Sequence, residues 1–150
     1  MTIIGFTVMM GVFYILFGLA GFAPGFLQEP HLRDPSLIIN GSYGRLFGLF
    51  PVNFLHNLIH IGFGIGALLA VQKISSTVKF CRFSAVIFAA LTVMGLVPGL
   101  NTLFGMVPIF GHDIWLNAVT SVTTGYFGFM ASTEKDPYSA SIPVSKRAIV

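Results

Sequence analysis

The sequence predicts an all-α fold, an integral membrane four-helix bundle built from two tandem two-helix repeats. Three observations carry that expectation: the composition, four apolar segments of similar length, and a motif that occurs twice. Of 150 residues, 55% are apolar and 9% are charged, and 16 are Phe. Soluble domains run near ~25% charged, so this balance suits lipid better than water. The apolar segments cover about 3–22, 53–71, 80–97 and 113–130. Each approaches the ~20 residues that cross a bilayer core. Leu46-Phe47-Gly48-Leu49-Phe50-Pro51-Val52 returns 57 residues later as Leu103-Phe104-Gly105-Met106-Val107-Pro108-Ile109. A fixed internal offset of this kind marks a duplicated supersecondary unit.

Taken in order, span one (3–22) carries no charge and stops at Pro24-Gly25. It lacks the basic start and small-residue cleavage site of a secretory signal, and is read as retained. The first outer loop, about 25–52, is the longest. Its Gln28–Pro35 stretch is polar and interrupted by proline, which predicts irregular structure. Ser42–Phe50, with its aromatic and glycine residues, is expected to lie in the interface or re-enter shallowly. A short middle loop, about 72–79, makes spans two and three expected antiparallel neighbours. The second outer loop, 98–112, is nearly chargeless. Residues 1–131 therefore form one transmembrane domain, and 132–150 form a polar cytoplasmic tail, expected to be extended.

The match also extends backwards, with Gly21-Phe22-Ala23-Pro24-Gly25 answered by Gly95-Leu96-Val97-Pro98-Gly99 at an offset of 74. The larger offset is an insertion in the first loop. Each repeat holds two spans, so both copies share one orientation, related by a pseudo-two-fold axis along the membrane normal. Lys73, Lys79, Arg82, Lys135, Lys146 and Arg147 lie on one side of the expected membrane, against Arg33 and Arg45 on the other. The positive-inside rule then places both termini in the cytoplasm and both motif copies at the outer face. The net charge of +3 comes from scattered residues. They form no basic stripe with interleaved aromatics, so nucleic acid is not an expected partner. The single cysteine, Cys81, excludes an internal disulfide and any paired-cysteine metal motif.

The polar residues of the spans fall in two stripes. Asn53, His56 and His60 share one face of span two, and Asp113, Asn117, Thr120 and Thr124 share one face of span four. At the repeat offset, His56 answers Asp113 and His60 answers Asn117. Such stripes should face the interior, because polar groups find no water in lipid. One reading is an interhelical cluster of Asn53, His56, His60, Asp113 and Asn117, hydrogen-bonded to fix the helices' register. The other is a ligand site, with His56 and His60 chelating a metal and Asp113 as a third ligand, or a His holding a tetrapyrrole (haem or chlorophyll). Bis-histidine haem needs a His on each of two helices, and Asn117 stands where the second would be.

Close helix packing is expected at Gly62 and Gly66, a GxxxG pair, and at Ser121 and Gly125 on span four. Gly11 and Gly18 are expected to line a lipid-side docking face on span one. There is no nucleophile elbow, no phosphate loop followed by Lys and no carboxylate pair, so no enzymatic activity is expected. The apolar midplanes speak against transport.

The stretch Phe50-Pro51-Val52-Asn53-Phe54-Leu55-His56-Asn57-Leu58-Ile59-His60-Ile61-Gly62-Phe63-Gly64 resembles a bacterial family of small four-span membrane proteins catalogued as a domain of unknown function. The family pairs an Asn-x-x-His helix start, a second His and a Gly-rich helix with an Asp-x-x-x-His start on the last helix. The resemblance runs from about Gly5 to Met130, and departs from the pattern at Asn117. It implies a prokaryotic inner membrane, or a thylakoid or plasma membrane in cyanobacterial members. The expected function is that of a non-enzymatic accessory or scaffold subunit. Its expected partners are lipids and other membrane subunits, with a photosynthetic complex as the candidate assembly in a cyanobacterial host. The alternative is a binding module holding a metal or tetrapyrrole at the His56/His60 face.

Overall fold

Four helices and a small sheet emerge in the computed structural model, in which residues 1–131 are described; the expected tail, 132–150, lies outside them. Helix α1 spans Ile3–Ala20 and starts where the Thr2 hydroxyl accepts the Gly5 N–H at 3.1 Å. That side chain satisfies one of the donors that a helix start leaves unpaired. Helix α2 spans Phe54–Ala70, α3 Ile74–Leu96 and α4 His112–Gly125, and α4 continues as a π-helical turn over Tyr126–Met130. α3 begins six residues before the apolar segment that predicts it. Lys79 and Arg82 do not stop a helix; they only lower its hydropathy.

Helices α1 and α3 are long and apolar enough to cross a membrane, and α2 is a shorter apolar helix. The main packing partners are α1 with α2 and α3 with α4. α2 and α3, expected as close neighbours, touch only lightly despite their short connection. Loop length dictates that two helices run antiparallel, not that their faces fit.

The fit of α1 on α2 comes from glycines, and not from the expected pair. A methyl group on Gly62 would meet open space and one on Gly66 only the Phe80 ring edge at 3.4 Å, whereas one on Gly64 would lie 2.5 Å from the Gly11 carbonyl. Gly64 is therefore the close-approach residue of α2. Gly11 and Gly18 face it and its helix, not lipid: a methyl on Gly18 would sit 2.6 Å from the Asn57 carbonyl. On the other pair, Ser121 donates to the Ala85 carbonyl at 2.8 Å, and Gly125 packs beside the Ala85 side chain.

The all-α expectation needs one correction. The loop between α1 and α2 holds a three-stranded antiparallel sheet: β1 Leu27–Gln28, β2 Gly44–Leu46 and β3 Phe50–Val52, with β2 in the centre. Gly44 is required there, because a side chain would strike the Gln28 carbonyl. Pro51 fits because β3 is an edge strand and needs no N–H on its open side. Phe47 and Gly48 turn the chain with φ of 54° and 72°. Arg45 of β2 is not a free surface charge. It donates to both Asp34 oxygens, at 2.8 and 2.6 Å, and to the Leu49 carbonyl. These bonds hold the Asp34 carboxyl below its usual range and pin the polar stretch expected to be irregular onto the sheet.

The bundle is apolar on its outer faces and mixed inside, where Phe6, Met10, Phe88 and Phe127 pack beside small polar residues. Large apolar side chains such as Leu16, Phe83, Val93, Trp115 and Val122 are exposed on the outer faces. Thr7, Thr77, Ser84, Thr120 and Thr124 are buried inside. Cys81 is fully buried, 3.3 Å from the Thr7 hydroxyl.

Candidate functional site

The two polar stripes meet where α2 and α4 begin. His56 and His60 project from the first two turns of α2, and Asp113 and Asn117 from the first two of α4. Asn53 makes the start of α2: its side-chain oxygen accepts the His56 N–H at 2.9 Å. Its amide nitrogen donates to the Ile39 and Met106 carbonyls, at 2.8 and 2.7 Å. Asn53 thus ties the helix start to the α1–α2 and α3–α4 loops and does not join the histidine cluster. Gly111, with φ of 65°, supplies the bend that opens α4.

Inside, the His56 Nε2 lies 3.5 Å from an Asp113 carboxylate oxygen. The His56 and His60 rings are 4.3 Å apart. His56, His60 and Asp113 each offer a ligand atom, and these atoms all fall within 4.8 Å of one another. Asp113 is completely buried, while His56 and His60 are each 4% exposed. The Asp113 oxygens, the Nδ1 atoms of both histidines and the Asn117 amide nitrogen have no hydrogen-bond partner. Buried polar groups left this way are costly, at about 1–3 kcal/mol each.

Aromatic residues hold the cluster rigid. The Tyr14 and Phe17 rings of α1 each lie 5.2 Å from the His60 ring. Tyr14 shares a 2.6 Å hydrogen bond with Thr120 on α4. Sequence reasoning passes over Tyr14, although it is a lone polar aromatic within a charge-free helix. It also passes over Asn57, whose amide donates to the Gly21 carbonyl at 2.7 Å. His112, one residue before the stripe, is exposed and lies outside the cluster.

Beside the cluster is a cavity of about 200 Å³. His56, His60 and Asn117 line it together with Phe63, Phe88, Ile59 and Ile87, and its surface is almost wholly apolar. A tetrapyrrole does not suit this space. A macrocycle held by a single His is larger than a space of about 200 Å³ accommodates.

Fold and site together define a class: a mostly helical protein with apolar outer faces and a buried His-His-Asp cluster. The chain belongs to the family described as domain of unknown function DUF4383, whose model matches residues 5–130. No curated protein and no solved structure matches it.

Proposed function

We propose that the protein is a multi-pass membrane module that holds one transition-metal ion of the zinc type through His56, His60 and Asp113. The carrying observation is the convergence of three buried ligand groups within 4.8 Å. Zinc–nitrogen bonds of about 2.0–2.1 Å in a tetrahedron place neighbouring ligands about 3.4 Å apart. The His56–Asp113 separation of 3.5 Å is close to that, and small side-chain shifts bring in His60. Three nitrogen and oxygen ligands would leave a fourth position open to water or another small ligand. The role is binding and not catalysis. The alternative, an accessory or scaffold subunit of a larger assembly, draws on the tail, which lies outside the described residues.

The apolar outer faces of the bundle support the membrane reading, since exposed apolar side chains suit lipid and the polar residues of the helices are turned inward. α2 has 17 residues and α4 runs on without a break from His112 to Met130, within the ~17–25 that span a bilayer. A tandem duplication is supported by contacts between equivalent residues. Thr7 meets Cys81 and Tyr14 meets Phe88, both at the offset of 74, and His56 meets Asp113 at 57. Gly11 approaches Gly64 as Ala85 approaches Ser121. Contacts of this kind are what a pseudo-two-fold axis produces.

The charge distribution orients the module with both termini in the cytoplasm and the cluster at the outer side. In whole cells, Cys introduced at exposed Asn40 is expected to react with an impermeant maleimide, and Cys at Gln72 is not. The reverse pattern would invert the topology. For the metal, the full chain in detergent, dialysed against Zn²⁺, is expected to retain one ion per chain. His60→Ala should weaken retention beyond the ~10–100-fold that losing an outer-shell partner costs. Retention should fall in acid, because the ligands bind deprotonated. Equal retention by wild type and a His56→Ala/His60→Ala double variant would sink the proposal.

A further inference from the structure

The end of the bundle opposite the histidine cluster carries a basic patch. Lys73, Lys79 and Arg82 are exposed there, and no ion pair engages them among the described residues. The acids of residues 1–131, Glu29, Asp34 and Asp113, lie in the α1–α2 loop or at the start of α4. Arg82 is held in place. Its Nε donates to the Gly128 carbonyl at 2.7 Å, and its guanidinium carbon stands 5.2 Å from the Phe129 ring centroid. A methyl group on Gly128 would lie 2.9 Å from the Arg82 backbone nitrogen, so glycine permits this approach. An arginine tied to a carbonyl in the last turn of a helix accounts for the Nε alone. Its two terminal nitrogens make no hydrogen bond among the described residues, and a fixed planar fork of N–H groups fits phosphate oxygens in pairs. Lys79, three residues earlier, is a neighbour on α3, and helix side chains tilt toward the N-terminus, so both reach toward the Lys73 end.

Beyond the basic pair the same face turns apolar. Phe83, Val86, Val93 and Val97 are all exposed, and they stand 4, 7, 14 and 18 residues after Lys79, on one helical face. From Val86 to Val97 is about 16 Å at ~1.5 Å per residue, close to half of the ~30 Å hydrocarbon core. A cationic head followed by one leaflet's depth of apolar stripe matches the outline of a single phospholipid.

We propose that Arg82 and Lys79 bind the phosphate of one anionic phospholipid, with an acyl chain lying along Phe83, Val86 and Val93. The inference rests on the membrane reading and is independent of the metal. An anionic headgroup is favoured over a zwitterionic one, because three cations without an acid among the described residues attract net negative charge and repel a headgroup ammonium.

The test reconstitutes the full chain in phosphatidylcholine vesicles that contain an equal small fraction of dibrominated phosphatidylglycerol or dibrominated phosphatidylcholine. The bromines quench a nearby indole. Two reporters are compared: Trp115, the chain's one Trp, exposed at the start of α4, and an indole beside the patch in Trp115→Phe/Phe83→Trp. At position 83, phosphatidylglycerol is expected to occupy the surface at least ~3-fold better than phosphatidylcholine. At Trp115 the two lipids are expected to be equal. Lys79→Gln changes an exposed side chain and should at least halve the preference, and Lys79→Gln/Arg82→Gln should abolish it. Equal quenching by the two lipids at position 83, the same preference at both reporters, or a preference kept in full by either variant would overturn the proposal. No quenching of either reporter by any brominated lipid is a separate result, in which the membrane reading falls and takes the lipid site with it.

Discussion

Gly64→Ala is expected to separate α1 from α2, while Gly62→Ala, two residues away on the same helix, is expected to be nearly silent. At Gly64 the added methyl would lie 2.5 Å from the Gly11 carbonyl and 2.9 Å from the Ile15 backbone nitrogen. Both obstacles are backbone, so no rotamer change relieves them and the helices must move apart. Overpacking typically costs about 1–3 kcal/mol, and a backbone clash belongs at the upper end. At Gly62 the same methyl meets nothing within 4 Å, which predicts a change within about 0.5 kcal/mol. Because α1 carries Tyr14 and Phe17 against His60, Gly64→Ala should weaken zinc retention as well. Unfolding of the two variants in a graded mixture of mild and denaturing detergent measures the difference. Equal midpoints would show that the close approach of α1 and α2 contributes nothing to stability.

Asn53→Ala should be the most damaging single truncation of a side chain at the outer end. The side chain is fully buried and makes three hydrogen bonds, one to the start of α2 and two to loop carbonyls. Losing the cap costs about 1 kcal/mol. Orphaning two buried carbonyls adds about 1–3 kcal/mol each, so the total is on the order of 4 kcal/mol. Asn53→Ser keeps a capping oxygen but cannot reach both carbonyls, and should fall between wild type and Asn53→Ala. The outer loops would loosen in the same order, which the rate of tryptic cleavage after exposed Arg33 reports. If the serine variant is cleaved as fast as the alanine one, capping contributes nothing, and the ties to Ile39 and Met106 carry the whole effect.

Much of the candidate site is legible in the sequence. Asn53, His56 and His60 at helical spacing define a face, and the repeat offset aligns His56 with Asp113. The structure places those two 3.5 Å apart. The role of Asn53 is not legible in the same way. Its partners, Ile39 and Met106, are 14 and 53 residues away, and no local pattern announces loop carbonyls that need a donor. Tyr14 escapes notice for a similar reason, since its hydroxyl is matched by Thr120, 106 residues on.

The choice of glycine shows how a local signal misleads. Gly62 and Gly66 fit the four-residue spacing of a packing motif, but the inward face of α2 is set by His56, His60 and Asn57. Gly64 lies four residues beyond His60, on that face, so the polar stripe was the better guide to rotation. The sheet was hidden because its strands are two or three residues long. Runs this short carry no alternation, and their pairing depends on Arg45 reaching Asp34 across the loop.

By itself the sequence determines that helices dominate, where their apolar segments lie and which polar residues share a face, because these follow from local composition and the 3.6-residue period. Tertiary structure alone decides that α1 pairs with α2 and α3 with α4, that Gly64 and not Gly62 makes the contact, and that a cavity opens beside His60. Those outcomes depend on how side chains distant in the chain fill the space between helices. Shape complementarity at that scale is a property of pairs of surfaces, which no single segment encodes.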